Sequence, residues 1–173
     1  LCAAERQQTG AREMLERFVE DYPNSIYLND VHFALGTILE KEGDYQRAYE
    51  HLLTVNPHEL PYARIGEYYY RTGHAAYQNG DEDKAYSYFQ NCTTDPAYAP
   101  HATYYKAYID YTRGDLDAAK SGFASIAELP AYEPIIPFYL LQIEFRQGNY
   151  AYVVEHGVPL LNKATGAREI EIA

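Results

Sequence analysis

Residues 73–89 read GHAAYQNGDEDKAYSYF, and within them Gly73, Gly80-Asp81, Ala85 and Phe89 stand at spacings that recur along the chain. The recurring turns are Gly43-Asp44-Tyr45, Gly80-Asp81, Gly114-Asp115 and Gly148-Asn149-Tyr150. Their glycines, at 43, 80, 114 and 148, are 37, 34 and 34 residues apart. Five residues after each glycine come Ala48, Ala85, Ala119 and Val153, and seven before come Gly36, Gly73, Ala107 and Leu141. Nine after the first three stand Leu52, Phe89 and Phe123, and Pro57, Pro96 and Pro130 follow 14 to 16 residues after those glycines.

Each mark has a physical meaning. A glycine can take the left-handed conformation that ends one helix, and the Asp behind it can cap the next. Small residues on both sides of such a turn let two antiparallel helices approach to about 8–10 Å between axes, so Gly73 and Ala85 are expected to face each other. The later proline cannot donate the bond that would continue the second helix, and is expected to close it. Between these marks the apolar spacing is helical. Met14, Leu15, Phe18, Val19 and Tyr22 form one stripe, and Tyr45, Ala48, Tyr49, Leu52 and Leu53 form another. No segment shows the sustained alternation of a half-buried strand. The pattern predicts an all-α stack of antiparallel helix-turn-helix repeats.

This pattern resembles the tetratricopeptide repeat family, built from 34-residue helix-turn-helix units. The resemblance implies a right-handed superhelical stack, with four units near 29–62, 66–99, 100–133 and 134–165. Residues 1–28 read as the end of a preceding repeat, a partial first helix and a whole second one, closing at Pro23-Asn24-Ser25. Residues 166–173 read as the start of a following repeat, so the sequence reads as an excerpt of a longer protein. The 37-residue step places about three extra residues in Asn56-Pro57-His58-Glu59-Leu60-Pro61. The fourth unit departs further, with Leu141 and Val153 at its small positions and Gly157 where a large residue is expected. Pro159 falls inside its second helix, which is expected to be kinked or displaced, since an interior proline costs ~3 kcal/mol.

Three segments narrow the resemblance: Phe18-Val19-Glu20-Asp21-Tyr22-Pro23-Asn24-Ser25, Tyr104-Tyr105-Lys106-Ala107-Tyr108 and Pro137-Phe138-Tyr139-Leu140. They are similar to large repeat proteins of the bacterial cell envelope. That similarity implies a periplasmic or envelope location and a role in holding other proteins together.

The chain has 173 residues and a net charge of −11. Nucleic-acid contact needs Lys and Arg clustered on a face, so nucleic acid is not an expected partner. The acidity reads as a solvated surface. No apolar run is long enough to span a bilayer. Cys2 and Cys92 lack metal-ligand spacing and read as free thiols.

The sequence carries no catalytic constellation. His32, His51, His58, His74, His101 and His156 form no HExxH motif, and no Ser or Cys sits in a nucleophile motif. His74 and His101 could face one groove from adjacent units. Two ligands without a carboxylate at motif spacing are a weak metal signal, and surface histidines are the expected reading. Neither metal nor cofactor is expected. The carboxylates Glu40/Asp44 and Asp81/Glu82/Asp83 read as turn and helix-start residues that favour the helix dipole. Lys106 and Asp110, four apart, read as an exposed ion pair.

A non-catalytic protein-binding scaffold is therefore the leading expectation, with a protein or peptide partner. One use of tetratricopeptide units is a basic clamp for a partner's C-terminal carboxylate. The corresponding places here hold Phe33, Thr37, Arg71, His101 and Tyr105, of which only Arg71 could serve, so that clamp is not expected. The tyrosines carry the alternative. There are 20 of them beside 6 Phe and no Trp. If the first helices line a concave face, its centre is Tyr70, Arg71, His74, Tyr77, Tyr104, Tyr105 and Tyr108. Against this stands the reading that the rings fill space between helices, with Tyr104, Tyr105 and Tyr108 rotated into the core in place of Lys106 and Asp110. Other functions remain open: carbohydrate or peptidoglycan binding on the tyrosine face, and a non-catalytic repeat domain of a larger sensor or enzyme. Uncapped apolar ends predict self-association.

Overall fold

The computed structural model describes residues 10–93 and 95–163, with side chains described through 160. The described residues form nine α-helices and one 3-10 turn, and none of them is in a strand. They divide into two compact units, Leu1–Ala102 and Thr103–Ala173. The first contains α1 (Ala11–Asp21), α2 (Leu28–Glu42), α3 (Tyr45–Thr54), α4 (Tyr62–Gln78) and α5 (Glu82–Asn91). The division falls inside α6 (Ala99–Arg113), which is followed by α7 (Leu116–Ile126), α8 (Ile136–Arg146) and α9 (Tyr150–Lys163). Within the first unit each helix packs on the next, and α2 also meets α4. Within the second, α7 packs on α8 and α8 on α9, while Ala107 of α6 shares a core with Ala119 and Phe123 of α7. This is the all-α architecture of a helical repeat stack. The readings of residues 1–9 and 166–173, and of Cys2, lie outside the described residues.

The turns have the expected chemistry. Gly43, Gly80, Gly114 and Gly148 all sit at φ of 81–86°, the left-handed region that a side chain would strain. In each turn the amide after the glycine reaches back five residues, to the carbonyl of Leu39, Ala76, Asp110 or Glu144, at 2.9 Å. That closure satisfies carbonyls the helix end would otherwise leave orphaned. Asp44, Asp81 and Asp115 then accept from the backbone N–H of Arg47, Lys84 and Ala118 at 3.3, 3.1 and 3.2 Å, capping the next helix. A fifth left-handed glycine, Gly10, precedes α1.

The packing across these turns pairs small residues with large ones. A Cβ on Gly73 would lie 2.8 Å from Phe89 Cε1, and one on Gly36 would lie 2.5 Å from Leu52 Cγ and 3.2 Å from the Ala48 carbonyl oxygen. In these two hairpins the small residue seven before the turn is thus matched to the large residue nine after it. Ala85 is fully buried on the same helix as Phe89. The fourth hairpin follows the same rule with the sizes exchanged: a Cβ on Gly157 would sit 3.8 Å from Leu141 Cδ1. Leu141 on α8 thus stands opposite Gly157 on α9.

Other departures are local. The extra residues of the first long connection form a 3-10 turn, Pro57–Glu59, in which Asn56 accepts from His58 N at 3.2 Å. The second helices end at Thr54, Asn91 and Ile126, before Pro57, Pro96 and Pro130 are reached, so proline does not itself terminate them. Helix α9 runs on through Pro159. Asp110 is buried and not exposed as expected.

Candidate partner-binding face

In the first unit, the side of α2 and α4 is held by a polar network. Glu40 occupies the last turn of α2, while Glu67, Arg71 and His74 stand four and three residues apart on α4 and so share one of its faces. Arg71 Nη1 donates to Glu40 Oε2 at 2.5 Å, and Arg71 Nε donates to Glu67 Oε1 at 2.8 Å. His74 Nδ1 lies 2.6 Å from the other Glu40 oxygen, and its Nε2 lies 3.1 Å from Gln78 Nε2. Glu40 and Arg71 are both buried, at 9% and 8% exposure. Burial pushes the Glu40 carboxyl up, but the His74 hydrogen bond and the Arg71 charge outweigh it and hold the group below its ordinary range. Burial likewise works against the Arg71 charge, and Glu67 with Glu40 more than restores it.

These positions revise one sequence expectation. Glu40 is a buried tie between two helices, not a turn carboxylate. Arg71 is buried between two carboxylates.

Above the network lie aromatic rings. Tyr70 stacks on His74 with ring centroids 5.8 Å apart and planes within 4°. Tyr45 meets His74 edge-on at 5.6 Å. Tyr98 and His101 lie 5.5 and 5.7 Å from Tyr70, so Tyr70 stands between His74 and His101. Tyr77, half-buried, is one turn further along α4. Tyr70, His74 and Tyr77 therefore share a partly open aromatic surface over a charged base.

In the second unit the tyrosines do different work. Tyr104 stacks over Tyr132 at 5.7 Å, approaches Phe123 at 6.0 Å and shares a hydroxyl–hydroxyl hydrogen bond of 3.3 Å with Tyr139. Tyr108 meets Tyr139 edge-on at 5.9 Å, and both Tyr104 and Tyr108 pack against the buried cluster around Phe123, Ile136 and Ile143. Tyr105 meets Tyr104 edge-on at 5.6 Å. Tyr104 and Tyr108 are partly buried and pack against that core, but Asp110 is buried too, so they do not take its place as the second reading had it.

Several buried polar groups escaped the sequence reading. His32 and His51 are not surface histidines: their Nδ1 atoms lie 2.9 Å apart and both rings are half-buried. Glu144 is buried at the end of α8, paired with Lys120 and accepting from Asn149 Nδ2 at 2.6 Å. Its carboxyl is held below the ordinary range by those two partners. Cys92 is a free, buried thiol that donates to the Gly66 carbonyl at 3.3 Å, and burial pushes it up to about 11, away from thiolate reactivity. Among the described residues no group of three or more His, Cys, Asp or Glu side chains could hold a metal ion. No helix among them is long and apolar enough to cross a membrane.

Comparison with known families matches residues 1–25 to the tetratricopeptide repeat. The match supports that family for this chain, and with the helical repeat architecture it fits an interaction scaffold. A search of curated proteins found no match.

Proposed function

We propose that the chain is a non-catalytic scaffold segment that binds a protein partner on the first-helix face of its first unit, with Tyr70, His74 and Tyr77 as contacts. The observation behind this is the Glu40–Arg71–His74 network beneath those residues. A buried ion pair returns little net stability, because desolvation offsets its attraction, yet breaking it is costly. What it fixes is position: α2 and α4 are locked in one register, and the side chains above them are held in place for an extended partner. Tyrosines of this kind give large contact area at low entropic cost, and such anchors dominate binding energy. The carbohydrate alternative loses ground in the second unit, where the Tyr104 and Tyr108 rings are engaged in packing. A bacterial envelope setting enters the proposal only through the wording of Phe18–Ser25 and its two companion segments.

Site-specific photo-crosslinking tests the reading. A crosslinker at Tyr77 in cells should yield a discrete adduct with one protein, and the same probe at exposed Gln90 on α5 should not. Equal yields at both positions, or an adduct at Gln90 alone, would overturn the assignment of the face.

A further inference from the structure

Polar ties close the open end of the α2–α3 hairpin, away from the Gly43 turn. Asn56 N donates to Asn29 Oδ1 at 2.7 Å, and Asn29 Nδ2 donates to the Asn56 carbonyl at 3.2 Å. Almost one turn along α2, His32 meets His51 in the last turn of α3, their Nδ1 atoms 2.9 Å apart and both rings half-buried. A bond of that kind needs one Nδ1 protonated and the other bare. A first extra proton can settle on Nε2 of the donor ring and leave the bond intact. A second puts hydrogens on both Nδ1 atoms and sets two imidazolium charges against each other at 2.9 Å, so the bond cannot survive it. We propose that the His32–His51 pair is an acid-operated clasp on this hairpin: when both rings are protonated it opens and frees the last turn of α3, leaving the open end to Asn29 and Asn56.

The surroundings resist the second proton. Burial is the main cause that lowers the proton affinity of both rings, and for His51 the neighbouring His32 comes next. Arg47 on α3 then opposes charge on His51 more strongly than either Glu16 on α1 or Glu50 on α3 favours it. The C-terminal dipole of α3 acts in the same sense as the two glutamates. On α2 itself, Asp30 stands two residues before His32, about 200° round the helix. On α4, which packs on both helices, Arg64, Glu67, Arg71 and His74 are bonded among themselves and to Glu40. In the connection after α3, Glu59 accepts from Asn56 Nδ2 at 2.8 Å. Both rings are thus held below the ordinary histidine value of 6.5, so the unfolded chain binds protons first as pH falls. The clasp contributes fully well above pH 6.5, and its contribution is lost as the pH falls through that value toward the folded ones. Glu40 and Glu144 act lower, below the ordinary carboxylate value of 4.5, which separates the two windows.

Urea titrations of the whole chain between about pH 8 and about pH 5.5 test the clasp against the double variant His32→Asn with His51→Asn. The two amides keep hydrogen-bonding groups near the Nδ1 positions but do not titrate. Over this range the folded-to-unfolded ratio of the parent should fall at least ~3-fold more than that of the double variant, and His58→Asn should behave as the parent. Circular dichroism at the upper pH shows whether the double variant is folded. If it is not, the unmodified chain carries the test by nuclear magnetic resonance. At least one of the His32 and His51 rings should then titrate with a midpoint below 6.5, and the Leu52 to Thr54 amides should lose exchange protection over the same range. An equal fall in the parent and the folded double variant would overturn the clasp. So would midpoints at or above 6.5 for both rings, or protection in the last turn of α3 that does not change with pH.

Discussion

Gly36→Ala and Gly157→Ala add the same methyl group to a helix and are expected to move stability in opposite directions. At Gly36 the new Cβ would meet Leu52 Cγ at 2.5 Å, Leu52 Cδ2 at 2.8 Å and the Ala48 carbonyl oxygen at 3.2 Å. Leu52 is fully buried, and Cγ is its branch point, so it cannot yield by swinging a distal atom. Relief must come from separating α2 and α3, which places the cost near the upper end of the ~1–3 kcal/mol range for overpacking. Alanine returns ~1 kcal/mol of helix propensity, for a net loss of ~2 kcal/mol. At Gly157 the nearest atom would be 3.8 Å away, an ordinary contact, so only the ~1 kcal/mol propensity gain applies. For a chain of this size each kcal/mol moves the midpoint by roughly 2–4 °C, giving a fall of ~4–8 °C and a rise of ~2–4 °C. Thermal melts with urea titrations at unchanged slope measure both. A neutral or stabilised Gly36→Ala, or a destabilised Gly157→Ala, would refute the size exchange between hairpins.

Glu40→Gln should cost about 3 kcal/mol at pH 7, the low end for breaking a buried pair, since Glu67 still holds Arg71; a loss under 1 kcal/mol by urea titration would contradict the network. Glu40 and Glu144 both have carboxyls held below their ordinary range, so their stabilisation is present above the unfolded-state carboxylate value and is lost as pH falls through the folded one. Melting midpoints measured from pH 6 to pH 3 should therefore fall, and the fall should be shallower in Glu40→Gln. Tyr104→Ala should cost ~3 kcal/mol and Tyr104→Phe no more than ~1, because the ring contacts outnumber the single hydroxyl bond; equal losses would mean the ring is not packed. Tyr150, Val154 and Val158, exposed at four-residue spacing on α9, should drive concentration-dependent association that Val154→Glu abolishes in sedimentation.

The hairpins were legible because their signals are local. A left-handed glycine, an Asp cap and a small–large pair each act within about ten residues of the turn, and the sequence displays them in order. The direction of helix rotation was not legible in this way. Asp110 is buried, and Tyr104 and Tyr108 pack toward Phe123 and Tyr139. Polarity alone assigns Asp110 to solvent and the tyrosines to a surface. The Gly157 exchange was visible as a departure, but its compensation by Leu141 depends on which residues face each other, and that required coordinates.

The polar ties between successive hairpins follow a rule that the repeat period itself supplies. Glu40 reaches Arg71 and His74 at separations of 31 and 34 residues. Arg47 reaches Glu16 at 31, Asn79 reaches the Tyr45 carbonyl at 34, Tyr111 reaches Gln142 at 31 and Tyr104 reaches Tyr139 at 35. These ties therefore span 31 to 35 residues, close to or a few residues short of one repeat step, because helices of successive hairpins pack on one another with side chains repeating every three to four residues. Once the period is known, a scan for complementary side chains at those separations finds Glu40–Arg71 and Glu40–His74 without coordinates. The His32–His51 pair lies outside the rule, at a separation of 19, because it joins the two helices of one hairpin. Contacts of that class depend on where the turn falls between the partners: His32 is eleven residues before Gly43 and His51 eight after it. The small residue seven before the turn and the large one nine after it are the same kind of contact, one helical turn closer to the glycine on α2. The packing rule for the hairpin and the placement of the histidines thus have one origin, the antiparallel register that the left-handed glycine sets.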